Sequence, residues 1–235
     1  MDRPDVIVFD VNETLSDMAP MGRRFADVGA PPELAVAWFA STLRDGFALA
    51  TAGASGRFAT IASDVLRSLL TGTTGVADLE AAVDHVMQGF LELGVHPDVA
   101  DGIPALARTG MRLVTLSNGS TDIAERLLSA AGVRQHFERV LSVDDAGVWK
   151  PGSEAYGYAA RVCAVTPDRM LLVAVHPWDV DGASRAGMQT AWVDRTGAPY
   201  PGHFRSPDHS VTDLPQLAEL LDRSSTGTGG EHRTS

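Results

Sequence analysis

Short, mostly apolar runs alternate along the chain with stretches in which apolar residues recur at helical spacing. Val6 to Phe9 (VIVF) is apolar at every position and gives way at once to polar residues, which predicts a strand buried on both faces. Leu113 to Leu116, Val140 to Val143, Leu171 to Val175 and Thr190 to Val193 repeat that signal. Between them, Asp122 to Ala131, Ser153 to Val162 and Gly182 to Ala186 carry the helical pattern. Strand, helix, strand, helix with glycines at the joints predicts an α/β fold, a parallel sheet flanked by helices. Asp17 to about Leu93 breaks the rhythm. It holds no good strand and reads as three or four helices, among them Pro32 to Leu49, Phe58 to Leu70 and Leu79 to Leu93, punctuated by Gly53, Gly56, Gly72 and Gly75. A helical block between the first and second strands predicts an inserted cap, with Val95 to Leu106 returning the chain to the core. The expected division is a core of residues 1–16 and 95–222, a cap of residues 17–94, and a polar, aperiodic tail of residues 223–235 without fixed structure.

Composition narrows the function classes. At 235 residues, 44% hydrophobic and 21% charged, the chain is neither a disordered nor a collagen-like sequence. A net charge of −11 with no basic cluster argues against nucleic acid or an anionic membrane as partner. The single cysteine, Cys163, excludes an intrachain disulfide and fits a reducing compartment. The opening residues lack the apolar core of a signal peptide, and no apolar run approaches the ~20 residues of a membrane span. A cytoplasmic protein is expected. One detail changes the picture further: eighteen arginines accompany one lysine, Lys150. Arginine replaces lysine well as a solvated charge and poorly as a compact ammonium in a tight site, so the surviving lysine is a functional candidate.

Ligands of open parallel sheets bind beyond the carboxyl ends of the strands. The residues found there are Asp10-Val11-Asn12-Glu13-Thr14 after the first strand, Ser117-Asn118-Gly119 after the second, Lys150-Pro151 after the third, and His176-Pro177-Trp178-Asp179 after the fourth. Two carboxylates, an ammonium and small hydroxyls would converge at one edge. An ammonium keeps a neighbouring carboxylate ionised, an ionised Asp is a competent nucleophile, and a second carboxylate activates water to cleave the resulting ester. Each feature has a plainer reading: Asp10 and Asp179 as helix caps, Ser117-Asn118-Gly119 as a turn, and His176 as a satisfied loop histidine. The set of four at one sheet edge is much harder to obtain by chance. No P-loop, dinucleotide fingerprint or HExxH is present, and the seven histidines show no metal-ligand spacing with Cys163.

The order Asp-x-x-x-Thr-Leu, Leu-Ser-Asn-Gly, Lys-Pro and an Asp-bearing last loop resembles the haloacid dehalogenase superfamily, with its Rossmann-like sheet and inserted cap. LSNGS, Tyr156 after Lys150-Pro151, and Trp178-Asp179 before Gly182-Ala183 resemble the L-2-haloacid dehalogenases in particular. That resemblance implies hydrolytic displacement at C2 of a small 2-substituted carboxylic acid, without a metal or cofactor. Asp10 would attack carbon. Thr14 and Ser117 would orient it and hold the substrate carboxylate, and Lys150 would neutralise the carboxylates. Asn118 would shape the adjoining loop, Tyr156 would line the site and Asp179 would position or activate water. A homodimer is implied in the same way.

Departures qualify the leaving group. The superfamily's phosphatases carry a second Asp where this chain has Asn12, and an acidic magnesium ligand where it has Ala174. Both changes point away from phosphoryl transfer. The dehalogenases place an Arg after a Trp in the first cap helix to receive the halide, whereas here the pair is Trp38-Phe39. Arg44 lies about 140° further round an ideal helix and does not simply substitute. Phe39 offers only its ring edge to an anion. His176 and Trp178 are then candidates to line the leaving-group side. The surviving alternatives are a non-halide leaving group, a phosphatase, and a catalytically silent binding protein.

Overall fold

The computed structural model describes residues 3–226. Six strands form one sheet: β1 (Val6–Phe9), β2 (Arg112–Ser117), β3 (Phe137–Ser142), β4 (Met170–Ala174), β5 (Gln189–Val193) and β6 (His209–Val211). Their spatial order is β3-β2-β1-β4-β5-β6 and every pairing is parallel. β1 lies in the middle, with Val8 opposite Val114 on one side and Leu172 on the other. Its alternating side chains feed two separate cores. Ile7 and Phe9 enter a cluster with α5 (Val99–Arg108), α6 (Thr121–Ala130) and α10 (Leu214–Thr226). Val6 and Val8 enter a cluster with α8 (Ser153–Cys163) and α9 (Pro177–Arg185). Both faces are therefore covered, which is why the central strands read as continuous apolar runs.

Residues between β1 and β2 form α1 (Met21–Asp27), α2 (Leu34–Thr51), α3 (Phe58–Leu70) and α4 (Leu79–Leu91). These helices pack on one another, α2 on α3, α3 on α4, and α1 against α2 and α4. Trp38 at the block's centre is fully buried, donates from Nε1 to Ala62 O at 2.9 Å and meets Phe90 edge-on at 5.7 Å. The chain leaves and re-enters the sheet layer side by side. Ser16 and Val95 form an antiparallel bridge, flanked by Asp17 N–H to Gly94 O and His96 N–H to Leu15 O, both at 2.9 Å.

Several boundaries differ from the sequence reading. The third strand is Phe137–Ser142, and Val143 starts the short helix α7 (Val143–Ala146) because the Ser142 hydroxyl accepts from Asp144 N–H as its N-cap. The start of β3 was obscured by Glu138 and Arg139, which are exposed because β3 is an edge strand. The helix expected over Gly182 to Ala186 begins at Pro177, whose fixed φ suits the first helical position. β6, α5 and α10 were not expected. Arg223 to Thr226, expected to belong to an unstructured tail, continue α10. The remainder of that segment lies outside the described residues.

Candidate active site

The β-strands end at one edge of the sheet, and the residues that follow them meet there. Asp10 directly follows β1, and its amide donates to Val173 O on β4 at 3.1 Å, continuing the ladder one residue past the strand. The following turn is tightly cross-bonded. Glu13 adopts a left-handed backbone (φ 61°), its N–H donates to Ser16 Oγ at 3.1 Å, and its carbonyl lies 2.9 Å from His96 Nε2. A side chain in that region of φ costs about 1–2 kcal/mol relative to glycine, so these bonds hold the turn against its own preference.

At the centre is Lys150, fully buried, with Nζ 2.8 Å from Asp10 Oδ1 and 2.6 Å from Asp179 Oδ2. The other oxygen of each carboxylate is also engaged. Thr14 donates its hydroxyl to Asp10 Oδ2 at 2.6 Å and accepts from Val175 N–H at 3.1 Å. Tyr156 donates to Asp179 Oδ1 at 2.6 Å. Both carboxylates are buried, yet they are pushed in opposite directions. Burial would raise Asp10, but Lys150, His176 and the Lys150 and Thr14 hydrogen bonds outweigh it and hold the carboxyl below its ordinary range. For Asp179, burial together with the nearby charge of Asp10 outweighs Lys150 and Tyr156 and raises it. Burial opposes the charge on Lys150, but two flanking carboxylates raise its pKa overall. Tyr156 is raised well above the ordinary phenol range by burial and by the negative Asp179, so it remains a donor.

Lys150 is fixed from below by Asn118. The amide accepts from Lys150 N–H at 2.9 Å and donates to Lys150 O at 3.2 Å, a two-point clamp on the backbone of the residue that carries the ammonium. From above, the Trp178 ring centroid lies 5.9 Å from Nζ, a cation–π contact. His176 caps the start of α9 and turns Nε2 toward acceptors only: Asn12 O at 3.1 Å, Glu13 Oε2 at 3.6 Å and Asp10 Oδ2 at 3.7 Å. Nε2 therefore carries a proton. Its ring stacks on Trp178 at 5.0 Å and on Phe39 at 6.3 Å.

All ten residues singled out from the sequence lie at this sheet edge or against it. Ser117 differs in its contacts: its hydroxyl accepts from Gly119 N–H at 2.9 Å, and among the described residues no hydrogen bond joins it to Asp10. Asp179 sits in the first turn of α9, not in a loop. Sequence reasoning did not find the Asn118 clamp, the Tyr156 bond to Asp179, or Val175 N–H behind Thr14. Asn118 and Thr14 meet backbone atoms, which leave no mark on residue type, and the Tyr156–Asp179 bond joins side chains on separate helices.

A parallel α/β sheet whose central strand is followed by a buried, lysine-paired aspartate offers a carboxylate of the kind that serves as a nucleophile. A family model described as haloacid dehalogenase-like hydrolase matches residues 4–187, and the chain belongs to that family. It is 34% identical over 146 residues to the (S)-2-haloacid dehalogenase of Pseudomonas sp. (strain YL), a match covering 62% of this chain and 63% of that relative. The chain is thus matched over somewhat less than two thirds of that relative's length. It is 29% identical to (S)-2-haloacid dehalogenase 4A of Burkholderia cepacia, covering 93% of this chain and 95% of the relative. The structure of L-2-haloacid dehalogenase from Xanthobacter autotrophicus with chloropropionic acid covalently bound superposes with a TM-score of 0.82 at 26% identity, covering 93% of this chain and 98% of that one.

Proposed function

We propose that this chain hydrolyses the carbon–halogen bond of small 2-haloalkanoic acids through an ester on Asp10. The observation that carries the reading is the buried Lys150 ammonium held between two carboxylates, 2.8 Å from Asp10 and 2.6 Å from Asp179. The downward push on Asp10 and the upward push on Asp179 suit the first to nucleophile and the second to base. Asp10, kept ionised, attacks C2 from the face opposite the halogen, and the halide departs with the bonding pair. Asp179, the more basic of the two, accepts a proton from a water that attacks Cγ of Asp10. The acyl–oxygen bond breaks, the departing oxygen takes the proton back from Asp179, and an inverted 2-hydroxy acid leaves with the former Asp10 oxygen while the proton of the new Asp10 carboxyl passes to solvent. Thr14 and Lys150 orient the attacking carboxylate, Asn118 positions Lys150, and Tyr156 positions Asp179. Ser117 and the Gly119 turn line the substrate carboxylate. Phe39, His176 and Trp178 enclose C2 and its leaving group, His176 being held there by its Nε2 contact with Asn12 O at 3.1 Å.

The names of the relatives, and the neighbour holding chloropropionic acid covalently, support this substrate class. Residues 17–94 act as a cap over the site, joined to the core at the Ser16–Val95 crossing. The reaction proceeds without a metal: Lys150 supplies the positive charge between the carboxylates, and Asn12 and Ala174 offer neither a general acid nor a carboxylate ligand.

The test is halide release from chloro-, bromo- and fluoroacetate and from both 2-chloropropionate enantiomers, with Asp10→Asn as the blank. In a single turnover in heavy-oxygen water the label should enter Asp10 before the product. Label found only in the product would exclude the ester. Phosphatase activity on p-nitrophenyl phosphate that depends on Asp10 and added Mg²⁺, with no halide release, would replace this reading with the phosphoryl-transfer one.

A further inference from the structure

Asp10, Lys150 and Asp179 are all buried, so a small acid needs a passage to them. A cleft of about 390 Å³ beside the ends of β4 and β5 stops at His176 and at the crossing of the chain into the helical block. Its inner wall is bonded. His176 Nε2 meets Asn12 O, His96 Nε2 meets Glu13 O, and the amides of Asp17 and His96 close the crossing. A cleft of about 580 Å³ is lined by α2 and α3 alone, and one of about 540 Å³ lies at the far end of the strands, beside Asp5 and Arg112.

A further cleft of about 600 Å³ follows the seam between the helical block and the sheet. Phe47, Ala50 and Ala54 form one side, and Val148, Pro151 and Gly152 the other. Two rings lead from it to the ammonium. Phe47 lines the cleft and meets Trp178 edge-on at 4.9 Å, and the Trp178 centroid lies 5.9 Å from Lys150 Nζ. Both residues are half-buried. This wall is not fastened as the other is. Trp38, Trp149 and Trp192 each donate the indole N–H to a backbone carbonyl at 2.9 Å. Among the described residues no hydrogen bond holds the Trp178 indole, and a phenylalanine ring has no such bond to give. Turning one half-exposed ring toward solvent is a far smaller and faster motion than lifting a packed block of helices.

We infer that Phe47, closed on Trp178, is the gate through which a small carboxylate enters and leaves the site along this seam. The inference rests on the proposed reaction only for the place where the acid binds. A gate multiplies entry and exit by the same open fraction, so it changes both rates and leaves the affinity alone.

Stopped-flow tryptophan fluorescence with lactate, an unreactive acid of the product class, reads the passage without the reaction. Phe47→Ala should raise the association and dissociation rates together, by about threefold or more, with Kd held within about twofold. Phe47→Leu should do so part-way, so that a graded response remains if the smaller residue impairs folding. A bulky thiol reagent attached to Ala50→Cys, in the seam cleft, should slow both rates at least about tenfold. The same group on Thr196→Cys, in the cleft beside His176, should leave them unchanged, and the buried Cys163 does not compete for reagent. Rates unmoved in the Phe47 and Ala50 variants, slowing confined to the Thr196 variant, a Kd that changes at constant association rate, or no lactate binding by the wild type overturns the gate. Bromide release from 2-bromopropionate reads the reaction. Paired rate changes in lactate binding without bromide release uphold the gate and remove the halide reading.

Discussion

Two carboxylates on one ammonium, one held below and one above its ordinary pKa, make the pH dependence of the two chemical steps separable. Ester formation needs Asp10 ionised, and a lowered pKa keeps it ionised as pH falls. Ester hydrolysis needs Asp179 ionised, and a raised pKa means it accepts a proton first. On acidification, hydrolysis should fail before alkylation, and the ester on Asp10 should accumulate. Quenched-flow mass spectrometry across the acid limb would detect the added mass, and a parallel decline of both steps would remove Asp179 from the base role. The same grouping sets a stability cost. Lys150→Met leaves two buried carboxylates facing each other without their cation, and breaking a buried pair by removing one partner costs about 3–5 kcal/mol. Urea unfolding at neutral pH should show a loss of that size, with activity abolished. Acidification should restore part of the variant's stability, because a protonated carboxyl no longer needs the partner.

Among the elements, α2 is the most tightly constrained by what lies beneath it. A Cβ at Gly46 would stand 2.2 Å from the Trp149 ring, so the helix approaches the core only because this position lacks a side chain. Gly46→Ala would gain helix propensity but force the indole aside. Overpacking of this kind costs typically about 1–3 kcal/mol, which outweighs the gain. The variant should unfold at lower urea and turn over more slowly, since Trp149 immediately precedes Lys150. An unchanged urea midpoint would mean that the ring has room to move.

The same scale marks what the sequence could and could not tell. The five longer strands and the helices that carry the site were legible because strands covered on both faces become unbroken apolar runs. The three residues of β6 and the charged start of β3 were not, since edge positions take polar side chains. Site residues were legible where chemistry demands a type, as at Asp10, Lys150 and Asp179. Asn118 was read only as a loop residue, because its two bonds go to backbone atoms of Lys150, which every residue possesses.

In the molecule as a whole, the apolar cluster on one sheet face runs without a break from Val6 and Val8 through Tyr156 and Trp149 to Phe58, Trp38 and Phe90 in the helical block. A block with its own detached core would melt independently. Here the shared core predicts one cooperative transition, with calorimetric and van't Hoff enthalpies in agreement. Two resolved transitions would show that the block is held mainly by its own contacts.

Trp149 carries a last consequence. Its indole N–H donates to Gly56 O at 2.9 Å and its ring stacks on Phe58 at 5.9 Å, both within the inserted helices, while the next residue supplies the ammonium. Lys150 is thereby tied, through its neighbour, to the inserted helices as well as to Asn118. A movement that lifts the helices must either tear the indole from its seat or draw the lysine away from the two aspartates. In the second case Asp10 would lose the ammonium that orients it and would regain its aim only when the helices settle again.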